Sequence, residues 1–511
     1  MATSKILEFY ENTNVLVTGG TGFLGQILIE KLLRCTSVST VYILVRSKKG
    51  KDVERRIKEL FDDEIFERLH AECPKFIHRV VGINGDVSYP DLGISKTDKQ
   101  TLIENINVVF HGAATVRFDE NLKLAYNVNV TGAERVLELG KQMKHLKSFM
   151  HVSTAYSNCF LNEIEEKIYD YPVNHVEIGE VLEKLTENQA DALTTRIIGA
   201  WPNTYTFTKA LAERMISQSR DNLPVGIFRP SIVISTYQEP QKGWINNMYG
   251  PTGMCAGALA GIVRVVNCTG SYRADMVPVD MCVAALIAGA WDVSEKTKNQ
   301  RPEDDPPIYN YVSGEHSFTW KEYCTVQKMY GDEYPSNRAL WMPYIPLISN
   351  MYFYTISILV FHLIPAFIMD VISMLFMKKP RLLSVYKKVH KLSDVLGFFC
   401  NRQWSFTDDN VVKLWNKLSE EEKKLFSFDI ASLDWWKYYK NYMIGLRKYI
   451  MKESIDTLES ARKRLLIFQY ISFIFTTVAK FTMSVLLWNL VQRLFFSSVT
   501  SCVEVTEMNK I

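Results

Sequence analysis

The sequence predicts an α/β fold, with a doubly wound parallel sheet in the first two thirds of the chain and a mainly helical C-terminal part. Near the N-terminus, a short apolar strand runs into a glycine-rich turn and then a helix. After it, apolar β-branched strands alternate with amphipathic helical stretches, the pattern of a parallel sheet covered on both faces. At about residue 335 the composition changes, and long apolar runs begin.

The strand Asn14–Thr18 and the turn after it predict a Rossmann-like dinucleotide site. Gly19 allows a tight turn, Gly22 lets the backbone approach a pyrophosphate, and Gly25 lets the helix pack close to the strand. Phosphates would bind the free N–H groups at the helix start, where the helix dipole favours negative charge. The predicted cofactor contacts here are Thr18, Gly19, Gly20, Thr21, Gly22, Phe23, Leu24 and Gly25.

The other elements of the sheet follow in chain order. Further strands are predicted at Thr40–Val45, His78–Asn84, Val108–His111, Ser148–Ser153 and Val225–Arg229. Helices are predicted near Gln26–Leu33, Leu122–Lys141 and Thr206–Ser219. Two insertions interrupt the pattern, an acidic, irregular one at 160–200 and one rich in Gly and Asn at 237–270. Because ligands bind outside the carboxyl ends of the strands in such sheets, we expect the glycine turn and the later strand ends to form one site.

Tyr205 and Lys209 are the candidate catalytic pair. On a helix, positions i and i+4 lie on one face, so the phenol and the ammonium point the same way. A nearby cation favours the phenolate and lowers the tyrosine pKa, which suits a proton donor to a carbonyl that accepts hydride. The strand end at Ser153-Thr154 adds a hydroxyl, with Thr154 preferred and Ser153 as the runner-up. Each motif alone is a weak signal, but together and in this order they indicate catalysis.

The residues after the second strand indicate which dinucleotide is bound. Enzymes that use NAD place an acidic residue there, about 20 positions past the glycine turn, on the ribose 2′-hydroxyl. This chain instead has Arg46, followed by Lys48 and Lys49, and their charge favours the 2′-phosphate of NADPH. A solvated basic loop is the alternative interpretation.

Composition excludes some classes of function. The 511-residue chain has 59 Lys and Arg against 56 Asp and Glu, and this net charge of +3 implies no nucleic acid partner. The nine cysteines are scattered without paired short spacing, which favours reduced thiols in a cytosol-facing protein over a disulfide framework or a metal site. The first residues include Glu8 and no long apolar run, so no cleaved secretory signal is expected. Cys159 is interpreted as a small core residue.

Beyond these patterns, the chain resembles the extended short-chain dehydrogenases/reductases, and within them the fatty acyl-CoA reductases that form fatty alcohols. The matching motifs are Thr18-Gly-Gly-Thr-Gly-Phe-Leu-Gly25, Val45-Arg46, His111-Gly-Ala-Ala-Thr-Val-Arg-Phe-Asp-Glu120, His151-Val-Ser-Thr-Ala-Tyr156, Pro202-Asn-Thr-Tyr205, Lys209-Ala-Leu-Ala-Glu213, Arg229-Pro-Ser-Ile-Val233, Gly243-Trp-Ile-Asn-Asn247, Gly250-Pro-Thr-Gly253, His362-Leu-Ile-Pro-Ala366, Pro380-Arg381 and Trp404-Ser-Phe-Thr407. The resemblance covers nearly the whole chain, including its C-terminal third.

The resemblance implies NADPH-dependent reduction of a long-chain fatty acyl-CoA to a primary alcohol and CoA through a bound aldehyde, in lipid metabolism that supplies wax, ether-lipid, hydrocarbon or pheromone precursors. In this interpretation Tyr205 protonates the carbonyl oxygen, Thr154 helps to hold it, and Lys209 tunes the tyrosine and binds the nicotinamide ribose. Neither a metal nor a nucleophilic cysteine is required. Further cofactor contacts implied by the family are Asp86, Val87, Ala113, Ala114, Arg229, Pro230, Ser231 and Val233.

Several candidate residues also have an ordinary structural interpretation. Asp86 matches a position that contacts adenine in the superfamily, but it fits a turn or a helix cap equally well. Arg117 and Arg229 lie near the expected cleft, where each is either a phosphate ligand or part of a structural ion pair. His111 and His151 are interpreted as packed, hydrogen-bonded groups.

The C-terminal third contains a first apolar region at 342–369 that has no Asp, Glu, Lys or Arg. This length is enough to cross about 30 Å of hydrocarbon. Three prolines interrupt it and a basic cluster follows, so a spanning helix would put that cluster and the catalytic domain on opposite sides, against the positive-inside tendency. We therefore interpret 342–377 as a monotopic or re-entrant segment, or as a wall of an acyl tunnel.

A second apolar region, 465–496, is interpreted as a C-terminal membrane anchor. Arg462-Lys-Arg464 precede it and a short acidic tail follows, which places its N-terminal side in the cytosol. Lys480, near its middle, costs about 3 kcal/mol at the bilayer centre, which the apolar neighbours outweigh. A hairpin that bends near Lys480 and an ordinary buried helix are the alternatives. We expect the endoplasmic reticulum as the location, with the peroxisome or the lipid droplet as alternatives.

The predicted organisation has three parts: a reductase domain with substrate insertions at 1–335, a helical domain with a membrane-associated segment at 336–460, and an anchor and tail at 461–511. Two other functions stay open. One is a related reductase of another lipid or thioester that releases an aldehyde, and the other is a catalytically silent lipid-binding scaffold. The intact Thr154, Tyr205 and Lys209 argue against the scaffold. The acyl preference and the oligomeric state, including a homo-oligomer, are left open by the sequence.

Overall fold

A parallel seven-stranded sheet lies at the centre of the computed structural model, which describes residues 4–47, 50–298, 301, 304–377 and 379–508, with side chains up to 493. The strands are β1 (Asn14–Thr18), β2 (Thr40–Val45), β3 (Val80–Asn84), β4 (Val108–His111), β5 (Ser148–Val152), β6 (Glu163–Ile164), β7 (Val225–Pro230), β8 (Ile232–Ile234), β9 (Met276–Pro278), β10 (Ile308–Tyr311) and β11 (Ser405–Phe406). The large sheet has the order β10-β7-β5-β4-β1-β2-β3, and β6 with β11 and β8 with β9 form two small parallel pairs.

The strand order reverses at β1, which confirms the predicted doubly wound fold. The chain leaves β1 toward β2 and β3, then returns to place β4 on the other side of β1. Thr18 at the end of β1 lies beside His111 at the end of β4. A crevice therefore opens outside the carboxyl ends of these two strands, where sheets of this kind bind their ligands.

Helices cover both faces of the sheet and form most of the C-terminal part. They are α1 (Lys5–Tyr10), α2 (Phe23–Cys35), α3 (Val53–Phe61), α4 (Glu67–Glu72), α5 (Lys96–Asn105), α6 (Leu122–Tyr126), α7 (Gly132–Gln142), α8 (His175–Lys184), α9 (Glu187–Ile198), α10 (Thr204–Ser219), α11 (Pro251–Leu259), α12 (Val279–Thr297), α13 (Trp320–Glu333), α14 (Met351–Ile358), α15 (Ile364–Leu375), α16 (Leu382–Cys400), α17 (Asp409–Lys417), α18 (Glu420–Leu425), α19 (Trp435–Gly445) and α20 (Leu458–Met508). Short π-helical segments join α6 to α7 and α14 to α15.

The N-terminal and C-terminal parts share one hydrophobic core. It extends from Ile6 in α1 to Tyr449, just after α19. Polar contacts reinforce this junction, because the Glu422 carboxylate accepts hydrogen bonds from the Ser4 hydroxyl at 2.8 Å and the Ile6 amide at 3.1 Å. The Tyr438 hydroxyl donates to the Ser235 carbonyl at 2.8 Å. The C-terminal helices therefore pack directly on the sheet domain.

Three details differ from the sequence prediction. The insertion at 160–200, expected to be irregular, contains α8 and α9, and α9 begins with a capping box between Thr186 and Gln189. The sheet has an additional edge strand, β10, which is short and was not predicted. Lys480 lies inside the continuous helix α20, so a hairpin bend at this residue was a wrong alternative.

Among the described residues, two helices are long and apolar enough to cross a membrane by length and composition, at Met351–Leu375 and Ile455–Arg493. Most of their apolar side chains are exposed, including Tyr352, Phe353 and Phe367 on the first helix. Within 342–377, which the sequence analysis interprets as a membrane-associated segment or a tunnel wall, only the beginning lines a cavity. Ile345 and Leu347 line the large cavity described below, whereas the helix 351–375 does not.

Candidate active site

A cavity of about 1410 Å³ lies outside the carboxyl ends of β1, β4, β5 and β7. Residues of α10, α13 and α16 also line it. The predicted site residues that line it are Thr18, Gly19, Thr21, Gly22, Phe23, Leu24, Gly25, Arg46, Asp86, Val87, Ala113, Ala114, Ser153, Thr154, Tyr205, Lys209, Pro230, Ser231 and Val233. The fold thus brings together segments that are more than two hundred residues apart in the chain.

The glycine turn has the geometry that a bound dinucleotide requires. Gly19 has a φ of 75°, and a Cβ there would lie 2.7 Å from the Gly112 carbonyl carbon. A Cβ at Gly25 would collide with the Gly19 carbonyl oxygen, so α2 packs directly on the turn. Gly22, the residue before α2, offers no side-chain acceptor to the first N–H groups of the helix. Those donors and the positive end of the helix dipole suit a pyrophosphate.

Two predicted cofactor contacts do not line this cavity. Gly20 faces the core, where a Cβ would meet Ile29 and Ile43 at 2.8 Å. Arg229 is fully buried, and its guanidinium forms a bidentate ion pair with Glu213, at 2.9 Å from Nε and 2.7 Å from Nη2. For Arg229 the geometry therefore favours the structural ion pair over a phosphate contact.

Arg46 extends from the end of β2 at the rim of the cavity. Its side chain is 64% exposed, and its Nη1 lies 3.9 Å from Oδ2 of Asp86. Asp86 also organises the turn after β3, since its Oδ1 accepts from the amide and hydroxyl of Ser88 at 2.9 and 2.8 Å. Asp86 thus has the turn role that one sequence interpretation gave it, and it also lines the cavity. Lys48 and Lys49, the other predicted cations of this loop, lie outside the described residues.

A second guanidinium at this rim was missed by sequence reasoning. Arg56 of α3 lines the cavity and donates to the Arg46 carbonyl. The sequence does show a basic residue on the helix after β2, and this could have indicated Arg56 as a candidate. The rim therefore presents two guanidinium groups where the second strand ends.

Tyr205 lies at the start of α10 and faces the cavity. Asn203 caps the start of this helix, and its side chain accepts from the Thr206 amide at 2.9 Å. Burial raises the pKa of Tyr205 to about 12, while a side-chain hydrogen bond with Thr154 opposes this shift. The expected lowering of this pKa is wrong, because desolvation and the nearby Glu213 charge both raise it and the hydrogen bond with Thr154 does not offset them. Tyr205 is thus protonated at neutral pH, as a proton donor must be.

Lys209 lies one turn after Tyr205 on the same face of α10. It is 2% exposed, and its ammonium donates to the Val152 carbonyl at 2.7 Å, at the end of β5. Burial lowers the pKa of Lys209 to about 8, and the Glu213 carboxylate opposes this shift. The ammonium is therefore held against the end of β5, beside Ser153 and Thr154.

The structure distinguishes the two candidate hydroxyl residues. The Ser153 hydroxyl donates to Oε1 of Glu213 at 2.5 Å and so belongs to the buried ion pair with Arg229. The Thr154 hydroxyl accepts from the Tyr156 amide at 3.2 Å and interacts with the Tyr205 phenol. Thr154 is thus the hydroxyl beside the candidate proton donor, while Ser153 joins β5 to the Glu213–Arg229 pair.

His111 and His151 lie behind the site, as packed groups. The His111 Nδ1 is 2.8 Å from the Thr18 hydroxyl, and that hydroxyl accepts from the Ala113 amide at 3.2 Å. Burial, followed by the charge of Lys209, lowers the pKa of His111 to about 3 and also lowers that of His151. Both imidazoles are therefore neutral near pH 7. Among the described residues, neither ring nitrogen of His151 has a hydrogen-bond partner.

An aromatic contact between the two halves of the chain covers Tyr205. The Phe118 ring stacks on Tyr205 at 5.7 Å between centroids and lies 5.4 Å from Phe399 of α16. Lys391, also in α16, pairs with Asp119 at 2.7 Å. No sequence motif pointed to α16, because its role depends on a contact across almost three hundred residues.

Comparisons with known proteins agree with this geometry. Two family models described as male sterility protein match the chain, an NAD-binding one over residues 17–286 and one named Sterile over 361–453. The fatty acyl-CoA reductase wat of Drosophila melanogaster is 44% identical over 462 residues, which is 90% of this chain and 88% of that protein. Human fatty acyl-CoA reductase 1 is 38% identical over 490 residues, 95% of this chain and 93% of its own. This chain belongs to the fatty acyl-CoA reductase family.

Solved structures support the fold of this family member. The reductase domain of a nonribosomal peptide synthetase from Mycobacterium tuberculosis aligns with a TM-score of 0.56 over 87% of this chain and 95% of its own, at 20% identity. The terminal reductase domain of the myxalamid biosynthetic pathway aligns with a TM-score of 0.55, over 85% and 90% of the two chains, also at 20% identity. The NAD-binding family model over the glycine turn indicates a nicotinamide cofactor.

Proposed function

We propose that this reductase converts long-chain fatty acyl-CoA to a primary fatty alcohol and CoA with NADPH as the reductant. One observation carries the proposal. Thr154, Tyr205 and Lys209 line the same cavity as the glycine turn, and that cavity continues into an apolar region walled by α13 and α16. A dinucleotide, a reacting carbonyl and an alkyl chain therefore have adjoining sites in one space.

The chemistry of the proposed reaction assigns a role to each side chain. Bound NADPH supplies a hydride to the thioester carbonyl carbon, and negative charge develops on the carbonyl oxygen. The Tyr205 phenol donates a hydrogen bond and then its proton to that oxygen, and Thr154 holds the phenol in position. Lys209 provides positive charge beside the phenolate that forms, and this stabilises it. As the hemithioacetal expels CoA thiolate, its hydroxyl returns the proton to the Tyr205 phenolate. A second NADPH would supply the hydride that reduces the aldehyde, and Tyr205 again donates the proton that gives the alcohol.

The preference for NADPH over NADH rests on the rim after β2. Arg46 and Arg56 line the cavity there, and the position that holds an acidic residue in NAD enzymes holds Arg46. Guanidinium groups bind phosphate with charge-assisted hydrogen bonds, which a 2′-hydroxyl does not match. Asp86 lies 3.9 Å from Arg46 and holds that side chain toward the rim.

We also propose that the protein is held on a membrane with its catalytic domain facing the cytosol. The exposed apolar helices at Met351–Leu375 and Ile455–Arg493 support this attachment. The division at about residues 335 and 460, into a reductase domain, a helical domain and an anchor, fits the change in composition. The endoplasmic reticulum is the proposed location, since lipid synthesis on a cytosol-facing membrane suits this arrangement. A homo-oligomer is left open.

The test uses purified full-length protein in detergent with NADPH and hexadecanoyl-CoA. Absorbance at 340 nm reports NADPH oxidation, a thiol reagent reports CoA, and gas chromatography identifies the lipid product. We expect two NADPH consumed and one hexadecanol formed per CoA released. Hexadecanal as the sole product, with one NADPH per CoA, would contradict the second reduction and support the alternative of an aldehyde-releasing reductase. No NADPH oxidation with any acyl thioester would support the silent lipid-binding alternative.

A further inference from the structure

The cavity has an arm that leads away from Tyr205 along α13. The α13 residues that line it are Trp320, Tyr323, Cys324 and Gln327, with spacing i, i+3, i+4 and i+7. Residues at this spacing lie on one face of a helix, and seven residues span about 10 Å along its axis. One face of α13 therefore follows the arm for almost two turns.

Neighbouring side chains give the order of residues along this arm. Phe118 stacks on Tyr205, and Phe399 packs against Phe118 on its other side. Cys400, the next residue of α16, also lines the cavity, as does Cys324 of α13. The arm thus runs from the reaction centre past Phe118 and Phe399 to the α13 face.

The thiols of the arm act as small apolar groups. Burial raises the pKa of Cys324 to about 12, and the pKa of Cys268, which also lines the arm, is raised as well. Thiols with such pKa values are protonated at neutral pH and unreactive, and a buried free cysteine packs like a small hydrophobe. These positions leave room for a chain where a larger apolar side chain would fill the arm.

A few side chains lie between the arm and a second, small cavity. Cys324, Gln327 and Ile345 line both the large cavity and this second one of about 20 Å³. That small cavity is bounded further out by Pro343 and Tyr344. Side chains that face two cavities at once separate them, so removing their atoms would join the two spaces.

Gln327 places a polar amide among these side chains. The side chain is buried, and within the described residues its Oε1 has no hydrogen-bond partner. An amide at this position adds no apolar surface for the methyl terminus of an alkyl chain. The apolar surface available to an alkyl chain therefore ends at this residue.

We propose that Cys324 and Gln327 form the end wall of the acyl-binding arm and set the longest acyl chain that the enzyme reduces efficiently. This inference rests on the proposed function, since it assigns the arm to the alkyl chain of the substrate. Chains that stop short of the wall leave apolar surface of the arm uncovered. Chains that are too long meet the wall while their thioester is still out of reach of Tyr205.

The experiment compares kcat/KM for dodecanoyl-, hexadecanoyl- and eicosanoyl-CoA with the full-length enzyme and two variants. Cys324→Phe fills the arm, and we expect the hexadecanoyl to dodecanoyl ratio to fall about tenfold, as for a few methylenes excluded from a hydrophobic pocket. Gln327→Ala joins the two cavities, and we expect the eicosanoyl to hexadecanoyl ratio to rise. The two variants thus shift the preference in opposite directions.

Met329→Phe is the matched control, because Met329 lies on the exposed side of the same helix and outside both cavities. Its three rates should equal those of the wild type. Thermal unfolding and NADPH binding check that each variant is folded, and Cys324→Val replaces Cys324→Phe if the larger side chain prevents folding. Folded variants whose length ratios stay within about twofold of the wild type would overturn the proposal. A wild type that reduces no acyl-CoA would instead refute the proposed function.

Discussion

At the scale of single residues, a buried carboxylate organises the site without lining the cavity. Glu213 lies one turn after Lys209 on α10 and pairs with Arg229, and both side chains are almost fully buried. The Arg229 guanidinium also donates to the carbonyls of Glu165 and Lys167, each at 3.0 Å. Since Ser153 donates to the same carboxylate, Glu213 joins α10, β5, β7 and the loop after β6.

Replacement of Glu213 by Gln should have two separate effects. It leaves the Arg229 charge buried and unpaired, so we expect a loss of about 3–5 kcal/mol in the free energy of unfolding, measured with denaturant. It also removes the charge that supports the Lys209 ammonium, whose pKa is already lowered to about 8. The neutral lysine forms as pH rises through this pKa, so the alkaline limit of activity should move to lower pH.

The double variant Glu213→Gln/Arg229→Met separates these effects. It removes both buried charges and should recover most of the stability, while the shifted pH limit should persist. The groups facing Lys209 are Glu213, His111 and His151, and both imidazoles are neutral in this range because burial lowers their pKa values. A pH limit that returns to the wild-type value in the double variant would assign Glu213 a structural role alone.

Tyr205 provides the sharpest prediction at this scale. Tyr205→Phe removes the proton donor and keeps the ring that stacks on Phe118, so kcat should fall by about 10²–10⁴ while NADPH affinity stays within about twofold. Fluorescence titration with NADPH and single-turnover assays measure these two quantities. Tyr89→Phe, an exposed tyrosine outside the cavity, is the control. Wild-type turnover in Tyr205→Phe would refute the role of the phenol.

Arg46→Asp tests the choice of cofactor. The exchange places a carboxylate where we propose that the 2′-phosphate binds, and a hydrogen bond to a charged group contributes about 1.5–3 kcal/mol. The ratio of kcat/KM for NADPH to that for NADH should therefore fall at least about tenfold. Arg55→Asp, a neighbouring exposed arginine that pairs with Glu59, is the matched control. An unchanged ratio would remove Arg46 from the cofactor site.

At the scale of elements, the turn between β1 and α2 shows how one backbone geometry serves both packing and binding. A Cβ at Gly25 would collide with the Gly19 carbonyl, and a Cβ at Gly22 would meet only that oxygen, at 3.1 Å. The two glycines are therefore needed for different reasons. Gly25 permits the contact between helix and strand, and Gly22 leaves open the space in front of the first N–H groups of α2.

This difference predicts opposite outcomes for two alanine variants. Gly22→Ala should keep the melting temperature within a few degrees and weaken NADPH binding at least about tenfold, because the methyl group occupies the approach of the pyrophosphate. Gly25→Ala should lower the melting temperature as well, by roughly 4 °C or more, since α2 must move away from the turn. Calorimetry and cofactor titration on both variants give the comparison. Equal effects of the two would contradict this assignment.

At the scale of the whole molecule, apolar surface is concentrated on two helices. The helix from Met351 to Leu375 and the part of α20 from Leu466 to Val491 expose mostly aromatic and aliphatic side chains. Side-chain contacts link the two helices. Trp341, in the segment before α14, packs on Phe468 of α20. The Arg264 guanidinium lies over both Trp341 and Phe361, and Phe361 belongs to the helix from Met351 to Leu375. We therefore expect both helices to contribute to membrane binding.

Truncation after Leu465 tests this expectation, since Leu465 is the last buried residue among the described side chains of α20. The truncated protein should still float with phosphatidylcholine vesicles, because the helix Met351–Leu375 remains. Adding Phe353→Glu and Phe367→Glu should release it to the soluble fraction. Val176→Glu, on α8, is the control substitution at an exposed apolar residue. Release by the truncation alone would show that α20 is the single anchor.

The sequence by itself determined the elements whose signal is local. The bounds of β1, β2 and β4 agree with the prediction, because a buried parallel strand is a short apolar run with a clear end. The glycine turn was also predictable, since its backbone geometry admits few other residues. The position of Tyr205 and Lys209 on one face of a helix followed from their i, i+4 spacing.

Only the tertiary structure decided what those residues contact. Ser153 and Thr154 are adjacent and chemically alike, yet successive side chains of an extended chain point to opposite sides, so one contacts Glu213 and the other Tyr205. Arg229 became part of an ion pair because α10 brings Glu213 against it. The wall of the cavity formed by α16 and the raised pKa of Tyr205 depend on burial by distant segments, which no local pattern encodes.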